Sequence, residues 1–323
     1  MTTDLRDPSA SRDHGGRIDA AVARYGGERG DWIDLSTGIN PVPYPIGDLP
    51  CSAWTDLPDQ AANTALIDAA RAFWPCPERA AVLAVPGLSL AISLIPRLTA
   101  AGRVSIATPT YNEHAAAFRA AGWDVTQSGA VDARVAVHPN NPDGRIWRAE
   151  ETCAPLSVID ESFCDTAPEH SLIHLADRPG TLVLKSFGKF WGLAGLRLGF
   201  VIGDPDLVAM LAAMLGPWVV SGPALHIGAA ALRDPDWADD TRARLAHDRD
   251  RLDNLLLGGG AILTGGTSLF RLYNHSHAQA LHDHLAQHHI WTRLFPWSDT
   301  AIRFGLPGPN GWSRLQAALD SAP

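Results

Sequence analysis

Residues 185–192 read KSFGKFWG and contain both lysines of the chain, Lys185 and Lys189, among 26 basic residues in 323. Arginine carries every other fixed positive side-chain charge. Arginine does not lose its proton at working pH, and its guanidinium does not form a stable imine with an aldehyde. A lysine kept in so arginine-biased a chain is a candidate amine, and imine formation is the commonest such use. The bland alternative is two lysines surviving on a loop by chance or touching phosphate.

The surroundings of Lys189 favour chemistry. It follows the apolar run TLVLKSF and sits in S-F-G-K-x-x-G-x-x-G-x-R-x-G, with Ser186, Gly192, Gly195, Arg197 and Gly199 around it. Glycines let backbone approach a ligand closely. Ser186 and Arg197 are suitable phosphate partners, the arginine through paired donors. VIDES puts Asp160 at the end of an expected buried strand, where a carboxylate needs a partner such as a protonated ring nitrogen. HPNNPDG offers Asn141 as a donor to a phenolic oxygen. In PGLS (86–89), Leu88 and Ser89 stand between a strand and a helix start, where free backbone N–H groups bind phosphate. Tyr111, ending PTY, is an aromatic able to stack on a flat ring. Phosphate, ring nitrogen, ring oxygen and aldehyde each have a candidate, and together they describe pyridoxal phosphate.

The elements that must hold these residues follow an α/β pattern. AAVLAVPG (80–87), RVSIATPTY (103–111), RVAVHPN (134–140), PLSVIDES (155–162), GTLVLKSF (180–187) and LRLGFVIG (196–203) read as short buried strands ending in turn chemistry. DQAANTALIDAARAFW and LSLAISLIPRLTAA read as helices, the second with a kink at Pro96. Buried strands separated by helices predict a mainly parallel sheet. From about residue 221 a long charged helical stretch, broken at Asp234-Pro235, leads into three strand patterns and a last helix, a smaller α+β unit. The expected organisation is an N-terminal segment (1–45) packing on the site and the small unit, a large cofactor-binding domain (46–220) and a small domain (221–323). HGGR (14–17) and DLSTGINPVPYP (34–45) read as ordered loops.

Composition excludes several classes. The formal net charge of −9 argues against general nucleic-acid binding. No apolar run reaches the ~20 residues of a membrane span, and the polar start carries no signal-peptide core, so a cytoplasmic protein is expected. Cys51, Cys76, Cys153 and Cys164 match no zinc or redox spacing and are read as reduced, mostly buried thiols. The histidines of HDHLAQHH (282–289) read as a solvated helix face, and no metal is expected.

The ordered set Tyr111, Asn141, Asp160, Lys189, Arg197 resembles the fold-type-I, aspartate-aminotransferase-like pyridoxal phosphate enzymes over nearly the whole chain. The resemblance implies a large domain with a seven-stranded, mainly parallel sheet plus a small α+β domain, and a homodimer. It assigns Lys189 to covalent attachment of the cofactor, Asp160 to the pyridine nitrogen, Asn141 to the ring 3-oxygen and Tyr111 to stacking. Leu88, Ser89, Ser186 and Arg197 fall to the phosphate, and Arg303, in AIRFGLP, to the substrate carboxylate; Lys185 matches no catalytic position. Two departures stand out. Phe163 occupies a place where the family often has tyrosine, and LPD (57–59) replaces a YPD whose tyrosine reaches the cofactor phosphate of the neighbouring subunit. HGGR followed by WIDLSTGINPVPYP looks like the HGG…DFSxNINP opening of threonine-phosphate decarboxylases of cobalamin biosynthesis. That resemblance implies decarboxylation of L-threonine O-3-phosphate to (R)-1-aminopropan-2-yl phosphate. It implies substrate contacts by His14, Gly15, Gly16 and Asn40; Arg271 and Arg293 are second-rank phosphate candidates because they flank expected small-domain strands. Histidinol-phosphate aminotransferases share the body of the pattern and are the alternative, and a non-catalytic cofactor-binding protein is the alternative of another class.

Overall fold

Short β-branched and apolar runs bounded by Gly, Pro and Asn can bury both faces only inside a sheet covered on each side. A computed structural model describes residues 13–322; residues 1–12 of the expected N-terminal segment and residue 323 lie outside them. In chain order the elements begin with α1 (Ile18–Tyr25), β1 (Ile33–Asp34), α2 (Ser52–Thr55) and α3 (Gln60–Phe73). There follow β2 (Ala81–Val85), α4 (Leu88–Leu94), β3 (Arg103–Ile106), α5 (Asn112–Ala120), β4 (Asp124–Thr126), β5 (Ala133–Val137), β6 (Leu156–Asp160), β7 (Thr181–Ser186) and β8 (Gly199–Gly203). The remainder is α6 (Pro205–Leu215), α7 (Gly222–Leu232), α8 (Pro235–Gly258), β9 (Ile262–Thr267), β10 (Phe270–Asn274), α9 (Ala278–Gln287), β11 (Ile290–Trp291), β12 (Arg293–Phe295), β13 (Ser298–Gly305) and α10 (Trp312–Asp320).

One sheet has seven strands in the order β2-β8-β7-β6-β5-β3-β4. Strands β3 to β7 pair in parallel, and β8 runs antiparallel to both its neighbours. The carboxyl ends of β5, β6 and β7 therefore reach one edge, where ligands of open α/β sheets sit. A second sheet, β12-β13-β10-β9, is antiparallel throughout. The N-terminal segment belongs to that second sheet's neighbourhood. β1 pairs in parallel with β11, Ile33 opposite Ile290, and Ile18, Ala21 and Trp32 form a small core with Ala286 of α9. The main core is continuous through both sheets, joining Phe187, Trp191 and Phe200 to Phe270, Tyr273 and Phe304.

Several expectations change. The stretches read as ordered loops, 14–17 and 34–45, are irregular apart from Asp34, but between them lie a helix, α1, and the short strand β1. Pro96 does not kink a helix: α4 stops at Leu94 and a 3₁₀ turn, Ile95–Arg97, takes up the proline near its start, where the missing N–H costs nothing. The cysteines are all free, but only Cys164 is buried, and Cys51 and Cys153 are exposed. His282 is not on a solvated face: it is buried, and its Nδ1 lies 2.7 Å from Thr292 Oγ1. Asp59 of LPD caps α3, its carboxylate accepting from Ala62 N at 2.7 Å.

Candidate active site

Leu88, Ser89, Tyr111, Asn141, Asp160, Ser186, Lys189 and Arg197 line a single cavity at the carboxyl edge of the large sheet, together with Gly87 and Phe163. Each is delivered by the end of an element. β2 turns at Gly87 into α4, bringing Leu88 and Ser89. β5, β6 and β7 end just before or at Asn141, Asp160 and Ser186. Gly87 has φ +81°, and a Cβ there would meet Arg197 Nη2, so only glycine lets the arginine lie against this turn. Arg197 itself is in the left-handed region at φ +53°, a strained conformation for a residue other than glycine and one that clusters at ligand sites.

Asp160 is a buried carboxylate with defined partners. His114 Nε2 is 2.8 Å from Oδ2, and Ser162 donates to Oδ1 from its backbone N at 3.0 Å and from Oγ at 2.5 Å. Burial would raise its pKa, but the hydrogen bond and charge of His114, with the two Ser162 bonds, hold it below the ordinary carboxylate value. The sequence reading missed His114. It lies three residues after Tyr111 on α5, on the face that also buries Phe118. A histidine on the buried stripe of a helix facing a strand-end aspartate was the available signal.

Lys189 Nζ lies 5.5 Å from the centre of the Phe163 ring. Enclosure lowers its pKa from 10.5 to about 8, and the positive charges of Arg303, Arg293 and Arg197 act in the same direction against Asp160. Lys185 differs in every respect. It is buried on β7, with Nζ 2.6 Å from Glu161 Oε2 and 3.4 Å from Asp165 Oδ1. Its burial favours the neutral form, but the two carboxylates outweigh that and push its pKa above the ordinary lysine value.

Arg303 is 2% exposed and donates from Nη1 to Asn141 Oδ1 and from Nη2 to Ser36 O at 2.5 Å. It stands opposite Arg293 in the β12–β13 ladder. Like charges directly opposite are unfavourable, and the Nε of each is buried without a partner. Burial, then the charge of Arg293, lowers the Arg303 pKa to about 9. Arg293 Nη2 also donates to Asp13 O and Oδ2, each at 3.3 Å. Arg271 is engaged elsewhere, in a two-pronged pair with Asp253 of α8 at 2.9 and 2.8 Å.

Arg303 reaches the cavity wall only through Asn141, and neither it nor the other expected substrate residues line the cavity itself. His14 Nε2 is 2.8 Å from Glu113 Oε1. Gly15 packs so tightly on Ser36 that a Cβ would overlap its carbonyl, and the Gly16 amide donates to Ser36 Oγ at 2.7 Å. The Asn40 side chain turns away into protein, donating to Phe190 O at 2.8 Å and accepting from Arg244 Nη2 at 2.8 Å. Gly16 and Asn40 therefore have their hydrogen-bonding groups occupied by the fold.

The aminotransferase class I and II profile matches residues 127–318. The chain is 40% identical to a threonine-phosphate decarboxylase of Pseudomonas aeruginosa over 95% of its length and 97% of the relative's. The chain belongs to the aminotransferase class I and II family. A threonine-phosphate decarboxylase of a Sinorhizobium species is 42% identical over the same shares of the two chains, 95% and 97%. Among solved structures, a Sinorhizobium meliloti histidinol-phosphate aminotransferase in complex with pyridoxal-5'-phosphate superposes with a TM-score of 0.80 at 20% identity, covering 99% of this chain and 98% of that one. At that identity the likeness is one of fold, and it matches the seven-stranded sheet described above. Within this class I and II chain, no helix of the described residues is long and apolar enough to cross a membrane.

Proposed function

We propose that the protein is a pyridoxal phosphate-dependent decarboxylase that converts L-threonine O-3-phosphate to (R)-1-aminopropan-2-yl phosphate, the precursor of the aminopropanol linker of cobalamin. The observation that carries the reading is the cross-strand pair Arg293–Arg303, a half-buried and a buried guanidinium whose Nε atoms are both buried without a partner, beside a lysine of lowered pKa. Such a pair suits a substrate bearing two anionic groups, a carboxylate and a phosphate. Full-length similarity to two proteins named threonine-phosphate decarboxylase selects among such substrates.

The cavity residues fit the cofactor. A hydrogen-bonded, low-pKa carboxylate at Asp160 suits a protonated pyridine nitrogen, and the glycine at position 87 lets the Arg197 guanidinium lie against the turn that carries Leu88 and Ser89, where a phosphate would be held. Ser89, Ser186, Arg197 and the Leu88 backbone would hold that phosphate, Asn141 the 3-oxygen and Tyr111 one face of the ring. When bound, the cofactor supplies an electron sink for the pair released as the bond to the carboxylate breaks. The chain's residues do the rest. Arg303 orients the carboxylate and shares its Asn141 contact with the ring side of the cavity. Arg293, with His14 nearby, receives the distal phosphate. Asp160 stays ionised and so keeps the ring nitrogen protonated. Lys189 Nζ, whose pKa is lowered to about 8, would donate the proton that takes the place of the departing carboxylate at Cα. Phe163 leaves the 3-oxygen without a phenol donor. The division 1–45, 46–220 and 221–323 belongs to the same proposal, with the described part of the N-terminal segment packed on the small unit beside the cavity.

Release of CO₂ from L-threonine O-3-phosphate without any 2-oxo acid, and its loss by several orders of magnitude in Lys189→Ala, test the assignment. Turnover that requires 2-oxoglutarate would replace it with transamination. A homodimer is part of the same proposal. It draws on Trp54, Leu57 and Trp218, 70%, 67% and 60% exposed, on and beside the helices α2 and α7 that pack together. A sedimentation mass of one chain would remove it.

A further inference from the structure

We propose that Asn40 is a positioning residue for Lys189, acting through the backbone of the turn that carries the amine. Three successive carbonyls of that turn accept hydrogen bonds from one short segment. Asn40 N donates to Lys189 O at 3.0 Å, Asn40 Nδ2 to Phe190 O at 2.8 Å, and Tyr44 N to Trp191 O at 2.9 Å. Asn40 is 2% exposed. Its Oδ1 accepts from Val42 N at 3.0 Å and from Arg244 Nη2, on α8, at 2.8 Å. The position needs a donor toward one carbonyl and an acceptor toward an amide and a guanidinium at once, which a carboxamide provides and a carboxylate or hydrocarbon does not. Gly192, at φ +69°, completes the fit: a Cβ there would stand 2.7 Å from Pro43 Cα and 2.8 Å from Asn40 O.

The same segment is anchored upstream to the small sheet. Gly305 N donates to Leu35 O at 2.6 Å, and Arg303 Nη2 to Ser36 O. Residues 35–44 thus tie the Arg303 guanidinium to the Lys189 turn through continuous backbone. A lysine amine sits at the end of four rotatable bonds, so its placement depends on how firmly its own peptide units are held. A displacement of about 1 Å costs on the order of 10²-fold in rate. Asn40 fixes the turn, and its bond to Arg244 ties that turn to α8.

This rests on Lys189 being the working amine, but the deciding measurement does not use the reaction. Trace acetylation of the full-length protein without added cofactor, followed by mass spectrometry across pH, reads the Lys189 titration, with ion-paired Lys185 as an internal unreactive control. In the wild type Lys189 should titrate near pH 8. Asn40→Asp keeps the acceptor and loses the donor, and Arg244→Met cuts the link from a partly exposed site. In both, the midpoint should rise by about one unit or more toward the ordinary lysine value. With cofactor and L-threonine O-3-phosphate, kcat should fall roughly tenfold or more with KM nearly unchanged. A Lys189 titration unmoved in both variants, or an effect confined to melting temperature, overturns the proposal. If Asn40→Asp does not fold, Arg244→Met decides alone. A wild type inert toward L-threonine O-3-phosphate would sink the substrate reading and leave the labelling comparison intact.

Discussion

Replacing Lys185 by methionine tests why a second lysine is retained. Its ammonium lies against Glu161 and Asp165 in a site sealed from water, 2% exposed at the side chain. Removing one member of a buried ion pair typically costs ~3–5 kcal/mol, because the remaining charge stays buried. Here the carboxylates keep some support. Glu161 still accepts from Ser171 Oγ at 2.7 Å and from Leu172 N at 2.5 Å, and Asp165 from Trp74 Nε1 at 2.8 Å. The lower end, about 3 kcal/mol, is therefore expected, a large part of a typical folding free energy of roughly 5–15 kcal/mol. Urea unfolding followed by tryptophan fluorescence should show a lowered midpoint at unchanged slope. Adding Glu161→Gln should recover part of the loss, because the second change removes the charge left alone. The sign with pH is also fixed. The folded pKa of Lys185 is raised, so its contribution is complete below the ordinary lysine value and fades only as pH rises through the raised one. The deficit should be the same at pH 6 as at pH 9. A deficit under about 1 kcal/mol, or one erased by salt as at exposed pairs, would refute the buried-charge argument.

Two further outcomes are expected. Burial lowers the His282 pKa from 6.5 to about 4, so its neutral form is favoured by folding; stability from this residue is complete above pH 6.5 and is lost as pH falls toward 4. His282→Gln should flatten the stability profile across that window, and an unchanged slope in acid titration would count against it. His114→Phe removes the hydrogen bond and charge that hold Asp160 low, so the Asp160 carboxyl pKa should rise. Infrared titration of the protonated carboxyl band, with Asp160→Asn as the assignment control, would show no difference if His114 is only packing.

Much of the cofactor side of the site was legible because each residue sits where an element ends. Asp160 closes an apolar run, Lys189 follows one, and Gly87 marks a sharp turn; these are local signals. β9 was not legible because ILTGGT carries two glycines, a residue depleted in strands. They are there for close approach: a Cβ at Gly265 would overlap Asp143 O, and one at Gly266 would overlap Phe270 O. β4 is a three-residue edge strand, too short for a pattern. The bonds of the Asn40 side chain were not legible because its partners lie 150 and 204 residues away, and no periodicity records bonds at that distance. His282 misled for a similar reason. Its helix is amphipathic, but the Thr292 bond and the Trp291 ring, 4.5 Å away, come from the next strand and turn a polar side chain inward.

The second half of the site depends on register, which sequence spacing alone does not state. Arg293 and Arg303 are ten residues apart on strands joined by a tight turn, and only the pairing places them opposite each other. Packing two guanidiniums across a ladder beside a lysine is unfavourable in isolation. The fold tolerates it through fixed partners of opposite or neutral polarity: Asp13 on Arg293, Asn141 and Ser36 on Arg303. Those partners satisfy only some of the donors, and both Nε atoms stay bare. The proposed anion site is thus assembled from segments that lie far apart in sequence. Residues 13–44 supply Asp13, Ser36 and the hydrogen bonds to the Lys189 turn, so this segment is structural support for the charge arrangement.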